Sequence, residues 1–351
     1  MKESFWRQAP YTLLIAAWAV VAAITVFVFF LGSAEKAVAA ERVLEPDRFF
    51  SAQPEPQPVD PLLLDGEDMR YPTSYRESTA SLWVDESSLC RGFLILANYS
   101  RLLPEGYTPA DLVLFSGLAE TAAPAALSVT KAMMEIDRTA GEKLLALAAY
   151  AKEKDGVGDY LLQSGYRDFA YQSALYRKKV QDYRGMGYSE AAAGAAASFW
   201  VARPRESEHH TGLAMDVSSR SHPDLQPSYA DTANGRWLAE NSWRFGFIIR
   251  YPEDKSGVTQ IGFEPWHLRY VGRPHSDVIH QKGWCLEEYL DFLAGEGGFT
   301  FRDEDGGIWQ VDYQPLGNGV IQAPSALPYT ISGDGGKGFI ITTLLAPPSG
   351  Q

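Results

Sequence analysis

Two stretches of this chain concentrate residue types that can hold a metal ion. The first reads Ser207-Glu208-His209-His210-Thr211-Gly212-Leu213-Ala214-Met215-Asp216-Val217. The second reads Gly262-Phe263-Glu264-Pro265-Trp266-His267-Leu268-Arg269-Tyr270. In the first, Leu213, Met215 and Val217 alternate with Ala214 and Asp216, the pattern of a strand that buries one face and turns Asp216 to the other. Gly212 permits a tight approach just before that strand, so His209 can lie over the same face as Asp216. In the second, Glu264 precedes His267 with Pro265 bending the chain between them. Two histidines and one carboxylate suit a catalytic zinc ion, one per chain, with the fourth position left to water. The metal draws that water's pKa toward neutrality, and a carboxylate that is not a ligand can take its proton. Glu264 is the candidate for that base. Either fragment alone reads as ordinary core or surface histidine; the two together do not.

The composition narrows the chemistry further. The chain has 351 residues and a formal net charge of −13, from 31 Lys and Arg against 44 Asp and Glu. That balance excludes nucleic acid as a partner, because a phosphate backbone is held by clustered cations. Two cysteines, Cys90 and Cys285, exclude a multi-cysteine zinc cluster and a disulfide-dense scaffold. Hydrophobic residues at 46% and charged residues at 21% are ordinary for a globular chain.

Residues 11–32 run YTLLIAAWAVVAAITVFVFFLG without a charge. A helix needs about 20 apolar residues to cross a bilayer. Residues 1–32 therefore read as a cytoplasmic tail and a transmembrane anchor, with everything after them outside the cell membrane. Ala37-Val38-Ala39 offers a small-residue cleavage site, so a cleaved signal peptide and a secreted protein is the alternative. Residues 33–68, with SAQPEPQPVDP, read as a Pro-rich linker.

The elements that must position the metal residues are legible in outline. FLILANYS after Gly92 is strand-like. Leu144, Leu147, Ala148 and Ala151 fall at helical spacing, and Gly156 stops that helix. Tyr160-Leu161-Leu162 reads as a short buried strand, Ala170–Val180 as a helix, and Ala191–Ala197 as an alanine-rich helix broken by Gly194. Phe247–Tyr251 is a strand and Leu286–Leu293 an amphipathic helix. From residue 299 onward, short strands and turns suggest a small β extension.

Ser-x-His-x-x-Gly-x-Ala-x-Asp followed by Glu-x-x-His resembles the zinc D,D-peptidases, specifically the VanY-type D-alanyl-D-alanine carboxypeptidases. The resemblance spans residues 90–285. GFLILANYSRLLPEGYTPADLV is similar to the family's entry segment, SGYRDFAYQ to its Ser-Gly-Tyr-Arg…Gln motif, and FIIRYP and EPWHLRYVG to its final strands. It implies an α+β Hedgehog/D,D-peptidase-like fold, a central antiparallel sheet with flanking helices and zinc in the cleft. With the linker ending at residue 68, the catalytic domain is expected over residues 69–285, followed by a helix plus β extension over 286–351 read from the residue pattern. The resemblance implies His209, Asp216 and His267 as metal ligands, with His210 a neighbour, and Glu264 as catalytic base. Arg167 would face the scissile carbonyl, and Gln172 and Ser207 would contact substrate. The implied activity is removal of the terminal D-Ala from peptidoglycan stem peptides ending in D-Ala-D-Ala. The same site chemistry also serves a D,D-dipeptidase or a wall endopeptidase. A non-catalytic wall-binding or sensor protein would be expected to have lost Glu264 or a ligand. Arg205, His210 and Gln260 depart from the family pattern, where Gly, Gln and Gly are usual. His222, His275 and His280 lie outside the motifs and read as surface residues. The two cysteines edge the family-like region on the oxidising side of the membrane, where a Cys90–Cys285 disulfide is expected.

Two decoys remain. Ser128-Val129-Thr130-Lys131 and Lys255-Ser256-Gly257 match elements of serine-type D,D-peptidases, but the Ser-x-Asn element is missing. Gly333-x-Gly335-x-x-Gly338 matches a dinucleotide fingerprint but leads into FIITTLL, a strand rather than a helix, so it reads as a hairpin turn.

Overall fold

The computed structural model describes residues 79–119 and 127–347. The expected anchor over residues 11–32, the linker over 33–68 and the small-residue site at Ala37–Ala39 lie outside the described residues. Among the described residues, no helix is long and apolar enough to cross a membrane.

The fold is mixed α+β. Its central sheet has five strands, ordered β3-β5-β6-β8-β7: β3 (Leu127–Val129), β5 (Tyr160–Ser164), β6 (Ala214–Ser219), β8 (Glu264–Tyr270) and β7 (Phe247–Tyr251). Three of the four pairings are antiparallel, but β3 runs parallel to β5. This corrects the expectation of a wholly antiparallel sheet. A parallel pair needs a crossover of a dozen or more residues. Helix α2 (Arg138–Asp155) lies in that connection, after the short helix α1 (Phe115–Ala119) and a short antiparallel pair of β2 (Leu112–Leu114) and β4 (Glu135–Asp137). The side chain of Asp137 caps α2 by accepting from the Ala140 N–H at 3.1 Å. Gly156 ends it in the left-handed conformation. Its buried stripe of Leu144, Leu147, Ala148 and Ala151 packs into the core of the sheet with Leu162, Met215 and Leu268.

On the cavity side lie α3 (Phe169–Gly185) and α4 (Glu190–Ser198). Gly194 does not break α4, as the sequence suggested. Its carbonyl accepts from the hydroxyl of Tyr176 of α3 at 3.1 Å. Helix α5 (Ala233–Asn241) precedes β7, while α6 (His275–Lys282) and α7 (Leu286–Glu296) follow β8.

The chain ends in a four-stranded antiparallel sheet ordered β12-β13-β10-β9: β12 (Tyr329–Gly333), β13 (Gly338–Ala346), β10 (Ile308–Pro315) and β9 (Gly298–Arg302). A separate pair joins β11 (Val320–Pro324) to the early strand β1 (Thr79–Trp83). The terminal sheet is not an appendage. Val311 and Ile340 share one buried cluster with Leu94, Leu96, Ile248, Val271 and Leu290.

Phe93–Ser100 is irregular chain, buried over Leu94–Asn98, rather than the expected strand. Its backbone groups are satisfied outside any ladder. Leu94 N–H donates to Ser332 Oγ at 2.8 Å, and the Phe93 and Ile95 carbonyls accept from the Arg269 guanidinium at 2.9 and 2.7 Å. The two cysteines are free thiols, which corrects the expected disulfide. Cys285 is fully buried at the start of α7, where its N–H donates to Glu288, while Cys90 packs beside Ile95, Ala97 and Leu103. His275 is buried, not on the surface: Tyr289 Oη lies 2.6 Å from its Nδ1 and Thr342 Oγ1 2.9 Å from its Nε2.

Candidate metal centre

Strand register brings two of the candidate ligands together. Asp216 of β6 is directly opposite His267 of β8. Opposed residues in an antiparallel pair project to the same face with Cβ atoms about 4.5–5.5 Å apart. The third comes from a 3-10 turn, Glu208–Thr211, just before β6. Gly212 closes that turn at φ 72°, where a Cβ would strike Leu112 Cδ2 at 2.8 Å. One ligating atom each from His209, Asp216 and His267 can be chosen so that all lie within 4.8 Å of one another, and all three residues are buried.

Strict alternation would put Glu264 and His267 on opposite faces of β8. A register shift between Ile249 and Tyr251 breaks the alternation, and Tyr251 pairs with Glu264. As a result Glu264 Oε2 lies 3.3 Å from His267 Nδ1, which is also 3.3 Å from Asp216 Oδ1. His209 sits 3.4 Å from Asp216 through Nε2, while its Nδ1 is 2.7 Å from the Gly165 carbonyl. That outer hydrogen bond places the proton on Nδ1 and leaves the Nε2 lone pair facing the site, the usual arrangement of a ligating histidine.

Arg167 follows β5 and is held through its backbone. Its N–H donates to the His209 carbonyl at 3.2 Å, and its carbonyl lies 2.6 Å from His210 Nδ1. The guanidinium reaches Ser164 Oγ at 2.8 Å, the amide oxygen of Gln172 at 3.5 Å, and Asp216. His210 is thus a support and not a ligand: its ring stacks on Phe169 at 4.1 Å and its Nε2 accepts from the Arg205 N–H. Gln172 donates from its amide nitrogen to the Ala202 carbonyl at 2.7 Å. Arg205 and Gln260, where the family usually has glycine, both adopt left-handed φ of 75° and 61°. The departures change backbone strain and leave the donor set untouched.

The charges agree with a site built around a cation. Burial lowers His209, with help from Arg167, to about 4, so it is neutral and able to ligate. Burial opposes charge on His267, but Asp216 and Glu264 outweigh it and bring it up to about 9. Burial also pushes Asp216 up, yet its cationic surroundings, the Arg167 guanidinium among them, hold it well below the ordinary carboxylate range. Glu264 is raised, chiefly by burial. Asp216 and Glu264 thus favour positive charge where the donors converge, and a metal ion bound there would take the place of the proton on His267, which must leave before that imidazole can ligate. Two imidazoles and a carboxylate are a donor set that suits zinc.

These residues form one wall of a cavity of about 420 Å³, which Arg167, Gln172, Ser207, Tyr251 and Trp266 also line. All seven residues singled out in the sequence meet here. Sequence reasoning missed Tyr251, whose ring lies 4.8 Å from that of His267, and Trp266. It also missed Arg250 and Arg269, both fully buried. The available signal was an arginine inside each of two apolar strands, FIIRY and EPWHLRY.

The profile of the VanY family, described as D-alanyl-D-alanine carboxypeptidase, matches residues 133–273. The bifunctional D-Ala-D-Ala dipeptidase and D-Ala-D-Ala carboxypeptidase VanXYC of Enterococcus gallinarum is 40% identical over 139 residues, 39% of this chain and 68% of that protein. This chain belongs to the VanY family. A D-alanyl-D-alanine carboxypeptidase of Enterococcus faecium is 39% identical over 192 residues, 54% of this chain. The chain spans only 55% of that relative's length. Among solved structures, the vancomycin-resistance D,D-dipeptidase VanXYg, in complex with a D-Ala-D-Ala phosphinate analog, shares the fold. It has a TM-score of 0.63 at 24% identity, with 76% of this chain and 99% of that chain covered.

Proposed function

We propose that this VanY-family chain is a zinc D,D-carboxypeptidase that removes the terminal D-Ala from peptidoglycan stem peptides. The observation that carries the reading is the convergence of His209, Asp216 and His267 at the cavity wall with Glu264 beside them. A zinc ion held by those three residues supplies Lewis acidity, polarising a carbonyl and bringing a water's pKa down to about 7. Glu264 takes the proton from the attacking water and returns it to the departing amine. Arg167, fixed by Ser164 and Gln172, faces the negative charge that develops on the scissile carbonyl oxygen. Ser207 and Gln172 stand at the wall for substrate contact.

The cavity favours a carboxypeptidase over a dipeptidase. It extends along α3 from Gln172 through Leu175 and Lys179 to Asp182. At a rise of 1.5 Å per residue that face is about 15 Å long, room for roughly four residues of extended peptide. A non-catalytic wall-binding role fits poorly with a site that keeps its base and every ligand. The proposed location is extracytoplasmic, on a single-pass anchor formed by residues 1–32, or secreted if that segment is removed.

The test is hydrolysis of a synthetic pentapeptide ending in D-Ala-D-Ala, followed by mass spectrometry, with chelator or penicillin in parallel. Loss of one D-Ala, abolished by chelator and indifferent to penicillin, is expected. Ser128 lies on β3 rather than at the start of a helix, and Lys131 is engaged by Tyr171. Penicillin-sensitive activity that survives chelation would overturn the reading.

A further inference from the structure

Beside the metal centre lies a second cluster of buried charge that the reaction does not use. Glu208 immediately precedes His209, Arg269 lies two residues beyond His267, and Arg250 precedes Tyr251, whose ring packs on His267. The side chains of Glu208, Arg250 and Arg269 have no solvent exposure. Arg250 Nε donates to Glu208 Oε1 at 2.8 Å, and Arg269 Nη1 lies 2.7 Å from the same oxygen. The fourth member, Glu287, comes from α7, beyond the residues that match the family profile. It grips Arg250 with both oxygens, at 2.9 and 2.6 Å, and Asn98 donates to it at 3.0 Å.

Four buried charges are a poor device for stability alone. Their desolvation is costly, and well-packed apolar residues often serve as well or better. What this cluster provides is position. Glu208 is held through a single oxygen, so where it sits depends on where the two guanidinium groups sit. Arg250 occupies the register shift between β7 and β8, where the sheet itself does not fix it. Its two-pronged grip by Glu287 does. The chain of contact thus runs from α7 through Arg250 to Glu208, and so to the 3-10 turn that presents His209.

We propose that Glu287 is a positioning residue for the metal centre, setting the placement of His209 through Arg250 and Glu208. This inference rests on the zinc reading given above. Groups that orient a ligand from outside the coordination sphere typically change metal affinity by about 10–100-fold when lost.

The test uses the full-length chain loaded with zinc and titrated with a chromophoric chelator, alongside the visible absorption spectrum of the cobalt-substituted protein. Glu287→Gln leaves Glu208 alone against two guanidinium groups and can cost the fold. The paired variant Arg250→Met with Glu287→Gln removes one charge of each sign and leaves Glu208 with Arg269. Thermal unfolding establishes that this variant is folded. Zinc held about 10–100-fold more weakly, with an altered cobalt spectrum, is the expected result. Zinc affinity within twofold of the parent with an unchanged spectrum overturns the positioning role. If the pair fails to fold, the cluster is structural and the inference falls equally. Failure of the unmodified chain to bind zinc would instead sink the zinc reading itself.

Discussion

Replacing Glu264 by glutamine separates a base from a ligand. The amide keeps the shape of the side chain and can still place an oxygen toward His267 Nδ1, 3.3 Å away, but it cannot accept a proton from water. His209, Asp216 and His267 retain a full donor set without it. Zinc content should therefore be unchanged. Turnover should fall by about 10²–10⁴, the usual contribution of a positioned general base, equivalent to roughly 2.7–5.5 kcal/mol in the barrier. Stability should not suffer, because burial already raises the Glu264 carboxyl and a neutral amide is easier to bury. The assay pairs elemental analysis of the purified protein with turnover of the pentapeptide. His267→Ala provides the contrast, since it should lose zinc and activity together. Arg167→Lys should fall between them, because an ammonium cannot reach Ser164, Gln172 and Asp216 at once. A Glu264→Gln protein that purifies without zinc would place Glu264 among the ligands. Near-normal turnover would move the base elsewhere; Glu206 would be the next candidate, since Glu208 is already engaged by Arg250 and Arg269.

The denatured, unreduced protein should titrate with two thiols per chain, and a reading of zero would restore the Cys90–Cys285 bond. Burial brings His275 down to about 3, so its contribution to stability is present above its unfolded pKa near 6.5 and is lost as pH falls from there toward 3. Between pH 6 and pH 5 the parent should lose about 1 kcal/mol more unfolding free energy than His275→Gln in urea titrations, and parallel losses would refute the assignment. Gln260→Gly should raise the unfolding midpoint by relieving a left-handed φ of 61°. The expected gain is about 0.5–1 kcal/mol after the extra chain entropy of glycine is subtracted. Arg205→Gly should gain less, because Arg205 donates to the Leu103 carbonyl from across the fold in a part-buried bond, whereas the Gln260 side chain donates only to its exposed neighbour Gly257.

The metal centre was legible because its parts are local. Alternation in Leu213–Val217 indicated which way Asp216 faces, and the Glu-x-x-His motif tied Glu264 to His267, although the register shift that brings them to one side of β8 left no mark in the spacing. The helix behind the sheet announced itself through its apolar stripe and through Gly156. What the sequence hid is non-local. No periodicity pairs Thr79–Trp83 with Val320–Pro324 across the length of the domain. The segment after Gly92 has the composition of a strand, but its backbone partners are an arginine side chain and the Ser332–Asp334 turn, so it never enters a ladder. His275 looked like a surface residue because its partners, Tyr289 and Thr342, come from a later helix and the last strand.

The same distinction explains why the family profile ends at residue 273 although the fold does not. The chemistry needs β5, β6, β8 and the turn before β6, all inside the matched residues. Yet the face of β7 that carries Ile248 is closed by Leu286, Leu290 and the terminal sheet, all outside them. Arg250 and Arg269 share the single carboxylate of Glu208, so they could not both be buried on that sheet if Glu287 and the Phe93 and Ile95 carbonyls did not also meet them, since an uncompensated guanidinium in a dry core is prohibitively costly. The two arginines beside the metal residues therefore presuppose α7 and the segment after Gly92. A site whose reacting groups are specified by a short motif is, in this chain, held in place by residues that no short motif contains.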